Sequence, residues 1–172
     1  MVAGSILPIT IHNDKLLFLF GKENPSEKSA KGWSDFGGRI EHTETPFEGA
    51  IREGSEELTG FLGNKSQLRK LIRNNGGIFK LKHNNYHIHI FYLEYDENLP
   101  KYFNQNHHFL WDNMEHDTLN KTKLFEKIEI KWFSVEEMKN KRKQFRNFYQ
   151  NITDLLHDNI DNIKSFVITK SS

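Results

Sequence analysis

Three carboxylates, Glu53, Glu56 and Glu57, stand close together in this 172-residue chain. On a helix their spacing of i, i+3 and i+4 makes them surface neighbours, and like charges so placed repel. A solvated acidic face accommodates such a cluster in water. The sharper reading is a hard divalent cation, which takes oxygen ligands and keeps waters for a phosphate substrate.

The helix that must carry them announces itself. Thr45-Pro46-Phe47-Glu48 is a complete start signal. Threonine caps, proline suits the first helical position, and Glu48 reaches back as the partner of a capping box. Phe47, Ala50, Ile51, Gly54, Leu58 and Phe61 then fall on one side of a 3.6-residue wheel, away from the carboxylates.

The surrounding spacing is more specific than the acidic cluster. Gly38 is followed after five residues by Glu44, after seven more by Arg52-Glu53, and after two more by Glu56-Glu57. This resembles the Nudix hydrolase signature, with many fixed positions in one register. There are two departures. Gly54 stands where an aliphatic residue is usual, which predicts a tight approach by another backbone, because a mid-helix glycine costs roughly 1 kcal/mol against alanine. Leu58-Thr59-Gly60 holds one residue more than usual before the glycine, which predicts Gly60 as the helix cap.

The resemblance implies an α/β/α sandwich with a mixed sheet between helices. It also implies hydrolysis of the diphosphate linkage in a nucleoside diphosphate joined to another moiety. Mg²⁺, for which Mn²⁺ can substitute, would be held by Glu53, Glu56 and Glu57, with a backbone carbonyl near Gly37. Arg52 would orient a catalytic glutamate and Glu44 would support it; a plain pairing of Arg52 with Glu48 or Glu56 is the bland alternative. A further acidic residue outside the signature serves as base or extra ligand, and Glu94, Glu97, Glu126 and Glu129 are the candidates.

Length, with 36% hydrophobic and 13% aromatic residues, suits one domain over residues 1–172 and excludes a disordered chain. Cysteine is absent, which rules out thiol catalysis and disulfides. The start shows no basic, apolar leader, and no stretch reaches membrane-spanning length. A soluble, cytoplasmic protein is expected, with no membrane partner; a homodimer is compatible with it. A net charge of +1 does not mark the chain as a general polyanion binder.

In chain order, residues 5–11 and 15–20 read as strands around a turn at 12–14, and 21–31 as an exposed loop. Residues 39–41 read as a short strand before the capped helix. A short helix over 66–74 and a hairpin of 78–82 with 86–95 across Asn84-Asn85 follow. His87 and His89 share a strand face and read as exposed or satisfied, with a metal pair the lesser alternative. Residues 99–118 are aromatic-rich and either helical or irregular. Residues 128–134 alternate as a strand, Val135 opens a helix, and an apolar stripe through Phe145, Phe148, Ile152, Leu155 and Leu156 continues helically.

Trp33, Arg39, Phe109 and Trp111 are candidate substrate contacts. Core packing is the plainer role for Trp33 and for the aromatic insert. The basic run 139–146 reads as a solvated face, with a phosphate or RNA contact as the alternative. A nucleotide is the expected substrate. Capped RNA is the second reading, with the insert stacking on the cap. A non-catalytic Nudix-fold module that binds nucleotide or RNA is the third.

Overall fold

The computed structural model of the chain describes residues 1–26 and 31–171. Its centre is β1 (Ala3–His12), which pairs antiparallel with β2 (Lys15–Glu23) and β4 (Phe36–Arg39) and parallel with β6 (Tyr86–Tyr92). Such a strand is covered on both faces, and seven consecutive residues of β1 are buried. Asn13 and Asp14 both adopt positive φ, at 51° and 62°, which makes the two-residue turn that joins β1 to β2.

Among the described residues the sheet has seven strands. β3 (Trp33–Ser34) and β7 (Lys127–Ser134) pair with β2, while β5 (Ile78–His83) pairs with β6. One sheet face packs under α1 (Pro46–Glu57), α2 (Lys65–Asn74) and α3 (Asn98–Asn113), through Ala50, Ile51, Leu68, Ile72 and Phe103. The other lies under α5 (Val135–Asn140), α6 (Asn147–Asp158) and α7 (Ile160–Ser171), through Met138, Tyr149, Ile152, Leu156, Ile163 and Val167. Short α4 (His116–Asn120) follows α3, and the architecture is the expected α/β/α sandwich.

Several local expectations change. β2 runs on to Glu23, so the loop expected from residue 21 starts later, and residues 27–30 lie outside the described residues. The strand expected at 39–41 is Phe36–Arg39 instead. Its glycines are there for space, since a Cβ on Gly37 would come within 2.5 Å of the Ser5 Cβ. The segment 99–118 is helical, as α3 and α4. His89 is buried, with Nδ1 donating to the Ser5 carbonyl at 2.9 Å, while His87 is only half-buried.

Candidate active site

α1 starts as its sequence requires. The Thr45 hydroxyl accepts from the Glu48 amide at 3.2 Å, and the Glu48 carboxylate accepts from the Thr45 amide at 2.9 Å. Gly54 faces β1 inside the core. A Cβ there would lie 2.5 Å from Ile6 Cδ1 and 2.6 Å from Cγ1, so the close neighbour is a side chain and not the backbone expected.

The far end of the helix departs from expectation as well. Thr59, with φ 54°, is the left-handed residue after the Leu58 cap, and Gly60 follows at φ 74°. The Thr59 amide donates to the Glu56 carbonyl and the Gly60 amide to the Ser55 carbonyl. That is the Schellman ending, with threonine in the glycine position. Thr59 Oγ1 shares a 3.0 Å hydrogen bond with Nε2 of the buried His107 on α3, which holds the strained turn in place.

From α1, Glu53 and Glu57 enter a cavity of about 420 Å³ that Gly37, Gly38, Arg39, Glu23, Glu126 and Arg146 also line. Ligand oxygens of Glu53, Glu57 and Glu126 all lie within 4.8 Å of one another. Gly38 is small for a reason: a Cβ there would sit 2.7 Å from the Glu53 carboxylate. Glu56 stays half-buried outside this trio. Of the four acidic candidates beyond the helix, Glu126 reaches the trio. Glu94 lines a separate cavity with Phe61 and Tyr95, Glu97 precedes α3, and Glu129 lies within β7 opposite Lys22.

Arg52 holds the arrangement from outside. Its Nη1 donates to Glu53 Oε1 at 2.7 Å, Nε to Glu44 Oε1 at 2.9 Å, and Nη2 to the Arg39 carbonyl at 3.1 Å. Instead of Glu48 or Glu56, as the bland alternative has it, Arg52 thus bonds Glu53 and Glu44. Burial works against the Arg52 charge, but those two carboxylates raise its pKa further.

Beneath the trio lies a cation that sequence reasoning passed over. Lys127 Nζ, at the start of β7, donates to Glu23 Oε1 at 2.9 Å and Ser34 Oγ at 2.8 Å, and stands 3.7 Å from Glu57 Oε2. Burial opposes its charge, yet Glu57 and Glu23 hold its pKa above the ordinary lysine value. Glu57 is pushed well up by burial, with Lys127 pulling the other way. Glu126 is raised by burial and then by Glu53 and Glu23. Glu57 Oε2 is buried without a hydrogen-bond donor. An acceptor in that state suits a cation, and the oxygen-only donor set suits Mg²⁺ or Mn²⁺.

The remaining candidates sit elsewhere, apart from Arg39 on the cavity wall. Trp33 is in the core, its ring 5.0 Å from that of Phe133. Trp111 stacks on His116 at 3.5 Å and on Phe125, and Phe109 is 65% exposed on α3. Neither lines the acidic cavity. In the basic run, Arg142 pairs with Asp154 and Lys141 with Glu137, whereas Arg146 joins the cavity by donating to Glu23 Oε1 at 3.0 Å.

A family model described as the NUDIX domain matches residues 4–156. The chain belongs to the Nudix family. Among solved structures, the fold is similar to the binary complex of a C. elegans Ap4A hydrolase. The TM-score is 0.54 at 14% identity, covering 95% of this chain and 97% of that one. A mutT/nudix family protein from Listeria innocua gives a TM-score of 0.50 at 15% identity, covering 98% and 96%. A local likeness, 42% identity over 59 residues, links the chain to an uncharacterized protein of Acanthamoeba polyphaga mimivirus. It takes in 33% of this chain and only 19% of that protein. No helix among the described residues is long and apolar enough to cross a membrane.

Proposed function

We propose that this Nudix protein is a Mg²⁺-dependent hydrolase of nucleotides, cleaving the diphosphate linkage between a nucleoside diphosphate and its second moiety. The observation that carries the reading is the approach of Glu53, Glu57 and Glu126 oxygens to within 4.8 Å around an acceptor, Glu57 Oε2, that has no donor of its own.

Glu53, Glu57 and Glu126 would hold the cation, with the Gly37 carbonyl at the cavity wall as a further oxygen. Bound there, Mg²⁺ neutralises phosphate charge and lowers the pKa of a coordinated water. Arg52 keeps Glu53 in one rotamer through its 2.7 Å bond, so that ligand is positioned before substrate arrives. Arg39, Lys121, Lys123 and Arg146 line the same cavity and would meet phosphate oxygens. In the reaction a water oxygen bonds to one phosphorus and the bridging P–O bond breaks. Its electron pair leaves with the far phosphate, and the water proton passes to a carboxylate oxygen of the wall.

The test is phosphate release, after coupling to a phosphatase, across nucleoside triphosphates, nucleotide sugars, ADP-ribose, dinucleoside polyphosphates and capped RNA, with Mg²⁺ present or chelated. Release from a free nucleotide that stops on chelation is expected. Binding without release from any substrate would replace this reading with the non-catalytic module.

A further inference from the structure

The acidic cavity has a neighbour lined without carboxylate, lysine or arginine side chains, which Met1 and His83 also border. Arg146 links them: it lines the acidic cavity, and its guanidinium carbon lies over the ring of Phe148, 4.8 Å from the centroid. Phe148, on the first turn of α6, keeps 44% of its surface exposed although the next residue, Tyr149, is wholly buried. With Tyr86, Asn84, Asn85 and Asn151 it lines a concavity of about 310 Å³. A second link runs through the sheet, where Ala3 on the rim of this concavity pairs with Arg39 on the rim of the acidic one.

The chemistry of the two hollows is complementary. The acidic one has carboxylates for a cation and four basic side chains for phosphate. The other has no lysine, arginine, aspartate or glutamate among its lining residues, and offers an aromatic surface with three asparagine amides. Each asparagine amide presents donors and an acceptor, the combination that reads the edge of a heterocycle. An exposed aromatic ring with an arginine beside it stacks on a base and meets the adjoining phosphate. The volume is at the small end of ligand cavities, enough for one ring system.

From this juxtaposition we infer that the Phe148 concavity holds the nucleobase of the substrate, with Asn84 and Asn151 reading its edge and Arg146 binding the phosphate attached to it. The inference rests on the acidic cavity being the site that binds the diphosphate. It makes Phe148 a specificity residue, remote from the bond that breaks.

Calorimetric binding to the full chain, without turnover, tests it with two probes: a nucleoside 5′-monophosphate and inorganic pyrophosphate. Phe148→Ala is expected to weaken the monophosphate about ten-fold or more and leave pyrophosphate unchanged. Phe148→Leu keeps the apolar bulk but not the ring, so it should show the same selective loss if alanine perturbs folding. Absence of monophosphate binding by the wild-type chain overturns the inference. So does unchanged monophosphate affinity in the leucine variant, or equal loss for both probes. Failure of the hydrolase reading looks different: base-dependent binding persists while no substrate is cleaved. Equal cleavage of tripolyphosphate and nucleoside triphosphates by wild type and both variants would instead discard the base site and keep the hydrolase.

Discussion

Lys127 Nζ stands 3.7 Å from Glu57 Oε2, and neither side chain is more than 4% exposed. A carboxylate that is to hold a metal is thus already matched by a buried ammonium, which also binds Glu23. Lys127→Met would leave Glu23 and Glu57 facing each other with that charge gone. Removing one partner of a buried pair costs about 3–5 kcal/mol, and denaturant unfolding should show a loss of that size. Added Mg²⁺ should then raise the melting temperature of the variant more than that of the wild type, because the ion supplies the missing charge. An equal rise in both would show that Lys127 and the cation do not share Glu57.

Glu57→Gln separates ligand from fold. The side chain is buried, not on an exposed acidic face, so the variant keeps its fold for a different reason from the one its wheel position suggests. Glutamine keeps the size and the carbonyl oxygen of the buried side chain, and Lys127 retains Glu23. The melting temperature without metal should stay near that of the wild type. Turnover should fall by about 10²-fold or more, as for other groups that stabilise transition-state charge. A folded variant with full activity would remove Glu57 from the site.

Much of this was legible in the sequence because α1 encodes its own limits and register. Thr45, Pro46 and Glu48 start the helix through contacts three residues apart, and a fixed helical period then places Glu53 and Glu57. Glu126 and Lys127 were harder to place, since they reach the site only through the pairing of β7 with β2. Residues 104 and 70 positions apart in the chain meet there, as Lys127 does with Glu23 and Glu57. At Gly37-Gly38 the absence of a side chain makes room for Ser5 and Glu53, partners that no local pattern names. The base concavity needed three remote segments, at Ala3, Asn84 and Phe148, and no local pattern connects them.

Thr59 holds a conformation that its β-branched side chain disfavours, and His107 compensates through the 3.0 Å bond. Thr59→Ala loses the bond and keeps the strain. Thr59→Gly loses the bond and releases the strain, worth roughly 1–2 kcal/mol for a left-handed residue. The glycine variant should therefore be the more stable of the two by about 1 kcal/mol in urea unfolding. The opposite order would mean that the helix end relaxes out of its left-handed turn in the alanine variant.

Asp35 is buried, accepting 2.5 Å bonds from Ser5 Oγ and Tyr86 OH. Burial outweighs those donors and raises its pKa from 3.8 to about 6. The folded state therefore binds this proton more tightly than the unfolded one. Its contribution to stability is complete below about pH 4 and is lost as pH rises through 6, by up to about 3 kcal/mol. His89, whose pKa burial lowers, slopes the opposite way, losing stability as pH falls below its unfolded value. Comparison with Asp35→Asn, which cannot titrate, isolates the aspartate. The stability of wild type relative to the variant should fall between pH 4 and 6 and stay level above. A flat difference would mean that Ser5 and Tyr86 fully offset the burial.

Gly54 tests how closely α1 must lie on β1. Alanine would gain roughly 1 kcal/mol of helix propensity, but its Cβ would fall 2.5 Å from Ile6 Cδ1, inside the core. Overpacking of that kind costs about 1–3 kcal/mol, so Gly54→Ala should destabilise despite the better helix former. Because α1 also carries Glu53 and Glu57, any shift that relieves the clash moves them, and Mg²⁺ affinity should weaken in step with stability. Ile6→Ala removes both clashing carbons at its own cavity cost of about 2–5 kcal/mol. The double variant should then lose less than the sum of the singles, with a coupling of about 1 kcal/mol or more in a double-mutant cycle. Strict additivity would mean that the helix, not Ile6, absorbs the methyl group, and recovery of Mg²⁺ affinity in the double variant would tie the ligand geometry to this contact.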